Sequence, residues 1–372
     1  MQHNAMALQE RARRPLVAMV KADAYGVGML PVVRALGGTF KGTDAVVAPG
    51  PDVWAFGVAT LDEAATLRHA GCLNRILCTA PLTMRDFPEA RALDVRPALH
   101  RGEDIMTWAA LGGGAWHFAI DTGMSRAGVP WNEVKALRTV LGEHQPEGIF
   151  THFHSAERED GSRALQESRF DEAVRALRPA LHQTVLQHLD NSAGIASRDA
   201  HGSPGALVRP GIGLYGSTVT EALTLAQVVH VRARIIDLRE IAAGESVSYG
   251  ATWRADTPRR IATVALGYAD GYRRALSNRG WAIVRGQRVP VVGNVTMDMT
   301  MLDVTTLSGG CSLGDIATLV GTDGDDTLST DDVASWAEMS PYELLTGLRL
   351  RLPRRYFDQA GDDDSPWSTE RA

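Results

Sequence analysis

The stretch Pro15-Leu16-Val17-Ala18-Met19-Val20-Lys21-Ala22-Asp23-Ala24-Tyr25-Gly26 decides the fold class. Its unbroken apolar run lacks the alternation of a half-exposed strand and describes a strand covered on both faces, as in a parallel sheet. The run ends on a lysine. Working outward, similar runs recur at residues 54–59, 75–80, 95–99, 116–120, 148–153 and 185–189, and a last one leads into Val208. Amphipathic segments lie between them, among them 61–70, 131–141 and 164–181. About eight β-then-α units predict an α/β fold with an N-terminal (β/α)8 TIM-type barrel, a doubly wound open sheet being the alternative topology. Residues 1–218 are assigned to this barrel.

Beyond it the pattern changes to short strands at 228–238, 260–266, 281–284, 289–292, 299–304 and 315–320, separated by Gly, Asp and Asn turns. Helical patterning returns only at 330–337 and 341–349. Residues 219–361 therefore read as a mostly β C-terminal domain, and the acidic, Ser/Pro-containing residues 362–372 as a disordered tail. Residues 37–52 read as a loop-like, mobile insertion.

A length of 372 residues accommodates two domains, and 44% hydrophobic residues are enough for a sizeable core. The net charge of -6, with no basic tract, gives no footprint for nucleic acid. Cys72, Cys78 and Cys311 form neither a CxxC pair nor a disulfide framework. The polar start and the lack of a long apolar run indicate no secretory leader and no membrane span, hence a cytoplasmic protein.

In a parallel barrel the working residues collect at the C-terminal ends of the strands. There the sequence places Lys21, Asp121-Thr122-Gly123-Met124-Ser125-Arg126, Thr151-His152-Phe153-His154, Asp190-Asn191-Ser192 and Arg209-Pro210-Gly211-Ile212-Gly213. Lysine is scarce, occurring only at Lys21, Lys41 and Lys135. A lysine leaving a buried strand is either a snorkelling side chain or a desolvated amine able to form an imine with a carbonyl compound. Asn191-Ser192 and Gly211-Ile212-Gly213 lie in the late loops, where barrels build phosphate sites from backbone N–H groups and hydroxyls. His152-Phe153-His154 also admits a metal site of the kind used by metal-dependent hydrolases, with His182, His188 and Asp190 as further ligands. The first histidine fits a cofactor-packing role better.

Taken in order, these motifs resemble the alanine racemase family of fold-type III pyridoxal-phosphate enzymes. Val20-Lys21-Ala22-Asp23-Ala24-Tyr25-Gly26 is similar to the family's cofactor-lysine signature, and Tyr25 falls within the cofactor-binding set. The resemblance implies that Arg126 meets the cofactor's phenolic oxygen and the substrate carboxylate, and that His152 stacks on the pyridine ring. Asn191, Ser192, Gly211 and Ile212 would form the phosphate loop, with Arg209 at the pyridine nitrogen and His188 behind it. In the second domain, Val247-Ser248-Tyr249-Gly250-Ala251-Thr252 resembles the motif of the catalytic tyrosine. Gly267-Tyr268-Ala269-Asp270-Gly271 resembles the substrate-entrance motif, and Met297-Asp298 the pair that meets the substrate carboxylate and supports the site. Ser340-Pro341-Tyr342-Glu343 resembles the segment whose tyrosine reaches the phosphate. The resemblance further implies a homodimer, paired head to tail with shared active sites. In it, Lys21 and the Tyr249 of a second copy act as two bases on an amino acid, most simply alanine. No metal is implied.

Some positions depart from the family pattern. Ala119 stands where many members carry a carbamylated lysine bonded to the site arginine. Thr296 replaces a cysteine, and His154 a small residue. Members begin with an additional strand ahead of the helix matching residues 4–10, and that strand is missing here. These departures leave open a specialised racemase acting on serine or a non-proteinogenic amino acid, or different chemistry on the same cofactor. The decarboxylases of the same fold type are disfavoured, because their glycine-rich phosphate loop and C-terminal Cys-x-Glu segment are not found. A barrel-only cofactor carrier, a non-catalytic binding protein and the His152/His154 hydrolase are more distant alternatives.

Overall fold

The computed structural model describes residues 1–42, 50–199, 201–217 and 223–357; the proposed tail at 362–372 and part of the 37–52 insertion lie outside the described residues. The chain divides into two compact units. The first comprises Met1–Ala24, Met29–Leu214 and Thr218–Ala226, the second Tyr25–Gly28, Tyr215–Ser217 and Gln227–Ala372.

The first unit is a closed barrel of eight parallel strands. These are β1 (Leu16–Met19), β2 (Val53–Val58), β3 (Ile76–Pro81), β4 (Val95–Leu99), β5 (His117–Asp121), β6 (Gly148–Phe150), β7 (Leu186–Asn191) and β8 (Leu207–Arg209). Each pairs with its neighbours in chain order, and β1 pairs with β8 to close the ring. Every residue of β1 is buried, as its unbroken apolar run requires.

Local sequence sets the surrounding helices. Leu61–His69 opens with a capping box, in which Thr60 accepts from the Glu63 N–H and Glu63 accepts from the Thr60 N–H. Acidic residues in its first turn and Arg68 and His69 in its last complement the helix dipole. Ser162–Leu177 buries Gln166, Phe170, Ala173 and Leu177 at helical spacing. The amphipathic 131–141 segment is not one helix: a 3-10 turn over Val134–Leu137 gives way to a short α-helix over Arg138–Glu143. Neither piece has a side-chain N-cap, and an uncapped start favours short, tight turns over a continuous helix.

The second unit is built on an antiparallel sheet, with Val231–Ile241 at its centre between Arg259–Val264 and Ile316–Asp323. Thr300–Asp303 extends it on one side, and Trp281–Val284 with Gln287–Pro290 on the other. Val247, Ile261, Val292 and Met301 form a small core against Ile241 and Trp253. Ser329 and Ser340 cap the helices Thr330–Trp336 and Pro341–Thr346, the latter with Pro341 in its first turn. No described helix is long and apolar enough to cross a membrane.

Candidate active site

The chain leaves β1 through an unusual turn. Ala22, Asp23, Ala24 and Tyr25 have φ of 53, 53, 52 and 56°, a left-handed turn built entirely from non-glycine residues. Each such residue costs about 1–2 kcal/mol against the right-handed region. Hydrogen bonds hold the turn in place. The Ala22 N–H donates to Glu63 Oε1 at 2.6 Å, the Ala24 N–H to the Val20 carbonyl at 2.8 Å, and Asp23 Oδ1 accepts from the Met29 N–H at 2.7 Å. Gly26 ends the turn with φ +81°, and a Cβ there would sit 2.5 Å from the Leu345 carbonyl oxygen. The buried Tyr25 ring stacks on Tyr215 at 4.5 Å between centroids, with Tyr342 5.8 Å away. Strain of this size persists where the surroundings over-determine the backbone, typically at a functional site.

Lys21 stands at the head of this turn. Burial lowers its amine pKa, the Arg126 guanidinium lowers it further, and Glu63 works in the opposite sense. Arg126 itself is exposed, and its guanidinium makes no hydrogen bond to a described residue. Ala119 instead packs with Ala98 and Phe150. Burial, Arg209, Arg126 and Lys21 together bring the His152 pKa down to about 3, so its imidazole is neutral. His154 is exposed and bonds its neighbour Ser155, so the two histidines of the motif occupy different environments.

Arg209 ends β8 in full burial, which brings its pKa down to about 10 against the opposing field of Asp190. Nη1 donates to His188 Nδ1 and to the His188 carbonyl, both at 2.8 Å. Nη2 donates to the carbonyls of Thr151 at 2.6 Å and Leu189 at 2.9 Å, with His152 Nδ1 at 3.3 Å. Four terminal protons thus meet four close acceptors, and among the described residues Nε–H meets none. Beside it, Ser192 Oγ accepts from the N–H groups of Gly211 at 2.9 Å and Gly213 at 3.1 Å. Asn191 caps the short helix after β7 by accepting from the Gly194 N–H at 2.9 Å. Lys21, Arg126, His152, Asn191, Ser192, Arg209, Gly211 and Ile212 all belong to the barrel unit, at or just beyond the C-terminal ends of its strands.

Tyr249, Tyr268, Met297, Asp298 and Tyr342 belong to the second unit. The Tyr268 and Ala269 N–H groups donate to the carbonyls of Thr296 and Met297, which ties the two tyrosine- and aspartate-bearing loops together. Asn294 Nδ2 donates to the Tyr249 carbonyl at 2.7 Å. Arg351, which belongs to none of the sequence motifs, reaches Asp298 at 2.7 Å and Asp270 at 2.6 Å and so braces the pair. Large apolar side chains here are left in solvent: Tyr249 is 76% exposed and Met297 53%. Tyr249, Thr296 and Met299 line a cleft of about 760 Å³.

Glu63 is a further site residue outside the motifs. Thr60-Leu61-Asp62-Glu63 announces it as a capping glutamate, but its second oxygen, on Ala22, has no local sequence signal. Among the described residues, no group of three or more His, Cys, Asp or Glu side chains is placed to hold a metal ion.

Comparison with known proteins agrees with this geometry. The model of the alanine racemase N-terminal domain matches residues 1–219, and that of the C-terminal domain residues 228–356. An alanine racemase of Deinococcus radiodurans is 38% identical over 358 residues, 95% of each chain. One of Geobacter sulfurreducens is 36% identical, covering 92% of this chain and 90% of its own. Among solved structures, the alanine racemase of Streptomyces coelicolor superposes with a TM-score of 0.84 at 29% identity, covering 96% of both chains. That of Bartonella henselae, which carries covalently bound pyridoxal phosphate, gives 0.82 at 27% identity, covering 95% of this chain and 96% of its own. The chain belongs to the alanine racemase family and is an amino-acid racemase.

Proposed function

We propose that the protein interconverts L- and D-alanine with pyridoxal phosphate held on Lys21, and that the complete site needs two copies of the chain. The observation that carries this reading is the Lys21 amine: its pKa is lowered by burial and by Arg126, and it is presented by a strained turn at the barrel rim.

The residues present fit the cofactor. Ser192 gathers two backbone N–H groups into a cradle suited to a phosphate, and a Cβ on Gly213 would lie 3.3 Å from Ser192 Oγ and narrow it. Arg209 keeps one N–H for a ring nitrogen, and the neutral His152 offers an aromatic face. Pyridoxal phosphate, when bound, supplies the electron sink that acidifies the α-hydrogen of the amino acid.

The chain's own residues do the rest. Asn191, Ser192, Gly211 and Ile212 anchor the phosphate, with Tyr25 and Tyr342 completing the cofactor-binding set. Arg209 is a fixed cation at the ring nitrogen and disfavours a second proton there, which keeps the α-carbon the place to which a proton returns. Arg126 and the Met297 of a second copy receive the substrate carboxylate, the Tyr268 of that copy guards the entrance, and its Asp298, braced by its Arg351, supports the site. Lys21 takes the α-proton on one face and Tyr249 of a second copy returns one on the other, so configuration is lost. The solvent-facing Tyr249 and Met299, which line one cleft, support a second copy as their cover, since exposed apolar groups gathered in one place mark an interaction surface. In this reading the enzyme is cytoplasmic and serves D-amino acid biosynthesis; no described helix is long and apolar enough to cross a membrane.

Reduction of the holoenzyme with borohydride tests the cofactor assignment: a pyridoxyl adduct on Lys21 supports it, and an adduct confined to Lys41 or Lys135 refutes it. A second reading, action on serine or a non-proteinogenic amino acid, is favoured by an Arg126 guanidinium that no described residue bonds. A panel of single-enantiomer amino acids decides between the two.

A further inference from the structure

Behind Arg209 a hydrogen-bond chain continues through the barrel interior and leaves it at the other end. His188 Nδ1 meets Arg209 Nη1 at 2.8 Å, and His188 Nε2 meets His117 Nδ1 at 2.7 Å. His117 Nε2 then meets Glu147 Oε2 at 3.3 Å, and Arg96 Nε donates to that same oxygen at 2.6 Å. His117 opens β5, His188 lies within β7, and Glu147 immediately precedes β6.

The direction of this chain is fixed by chemistry. A guanidinium only donates, so His188 Nδ1 must be an acceptor and its proton must sit on Nε2. That N–H donates to His117 Nδ1, which places the His117 proton on Nε2, where it meets a carboxylate that only accepts. Reversing any link sets two donors against each other in the buried interior, which leaves polar groups unsatisfied. The packing is built around the pair. Phe150 stacks on His188 at 5.0 Å and Trp54 lies 5.6 Å from His117, while a Cβ on Gly148 would fall 2.5 Å from His117 Nδ1. Both histidines are completely buried, and burial keeps both neutral. Burial pushes the Glu147 carboxyl up, but the hydrogen bonds from His117 and Arg96 outweigh it and bring its pKa down to about 2.

We propose that Glu147 and His117 are positioning residues for the racemase, holding His188 in its Nε2–H form through a one-way chain and thereby aiming the Arg209 guanidinium at the cofactor's ring nitrogen. This rests on the cofactor reading above. Arg96 is the brace at the far end, because it holds the carboxylate that the chain ends on.

Two variants separate positioning from mere packing. Glu147→Gln keeps an acceptor oxygen at the place where His117 and Arg96 meet. Glu147→Ala removes the acceptor and frees His117 to turn its proton round. Nitrogen-15 histidine NMR on the protein without cofactor reads the tautomers directly. Wild type and Glu147→Gln are expected to show His117 and His188 as neutral Nε2–H forms, and Glu147→Ala to lose the single form at His117. In the holoenzyme, kcat is expected to fall tenfold or more in Glu147→Ala with KM changed less than twofold, and to stay within threefold of wild type in Glu147→Gln. A wild-type Nδ1–H signal at either histidine overturns the proposal without requiring any variant to fold. Unchanged kcat in Glu147→Ala overturns it equally. If the wild-type holoenzyme does not racemise alanine, the cofactor and substrate reading fails instead, and the NMR result still decides the direction of the chain.

Discussion

The left-handed turn after β1 makes an unusual demand: removing a side chain should stabilise the protein. Ala22 has φ 53° and an exposed methyl group, so Ala22→Gly sacrifices almost no packing. The left-handed region costs an alanine about 1–2 kcal/mol that a glycine does not incur. Against this, glycine gains about 0.4–1 kcal/mol of conformational freedom in the unfolded chain. The balance is a stabilisation of about 0.5–1 kcal/mol, or about 1–4 °C in the barrel's melting temperature. The N–H to Glu63 survives the substitution. Urea unfolding of the cofactor-free protein, followed by tryptophan fluorescence, measures the effect, with Ala22→Val as the opposite arm. A β-branched residue at this φ is strongly disfavoured and should destabilise by more than about 1 kcal/mol. Turnover should move against stability in Ala22→Gly, because a relaxed turn presents Lys21 less rigidly. A destabilised Ala22→Gly, or an Ala22→Val of wild-type stability, would refute the claim that the turn stores strain.

Ser192→Ala deprives the buried Gly211 and Gly213 N–H groups of their acceptor, at about 1–3 kcal/mol each before relaxation, so unfolding free energy should drop by at least about 2 kcal/mol and pyridoxal phosphate should bind more weakly. Because Arg126 lowers and Glu63 raises the Lys21 pKa, the pH midpoint for reductive trapping of pyridoxal phosphate on Lys21 should rise in Arg126→Ala and fall in Glu63→Gln; shifts of the same sign in both would contradict the assigned electrostatics. Tyr249→Phe removes an exposed hydroxyl, so unfolding free energy should stay within about 0.5 kcal/mol of wild type. Racemisation in the same variant should fall by about 10²-fold or more, measured by chiral chromatography.

Much of the barrel was legible because its signals are local. The run Leu16–Met19 is buried at every position, and the residues just beyond the runs stand at the strand ends where a barrel gathers its chemistry. Lys21, His152 and Arg209 could be found by asking where each strand leads. Other features depend on partners far apart in sequence or on backbone geometry. Nothing in Ala22-Asp23-Ala24 encodes a left-handed turn, since alanine ordinarily favours the right-handed helix; the tertiary hydrogen bond that the Ala22 N–H donates to Glu63, with the local one that the Ala24 N–H donates to the Val20 carbonyl, holds it. Arg351 braces Asp298 from 53 positions away along the chain, and the Glu147 end of the histidine chain meets Arg96 across 51. The 131–141 segment shows the reverse error, a convincing apolar rhythm that breaks into two short pieces for want of a cap.

The central claim is that two groups on opposite faces of the amino acid, Lys21 and the Tyr249 of a second copy, exchange its α-proton. Incubation of the holoenzyme with L-alanine in D₂O, stopped at low conversion and analysed by NMR after separation of the enantiomers, tests it most directly. The account predicts D-alanine carrying deuterium at Cα while the recovered L-alanine keeps its original proton. D-alanine that retains that proton, or L-alanine that exchanges as fast as the product forms, would contradict two separate bases, and the absence of both D-alanine and deuterium would contradict the alanine assignment altogether.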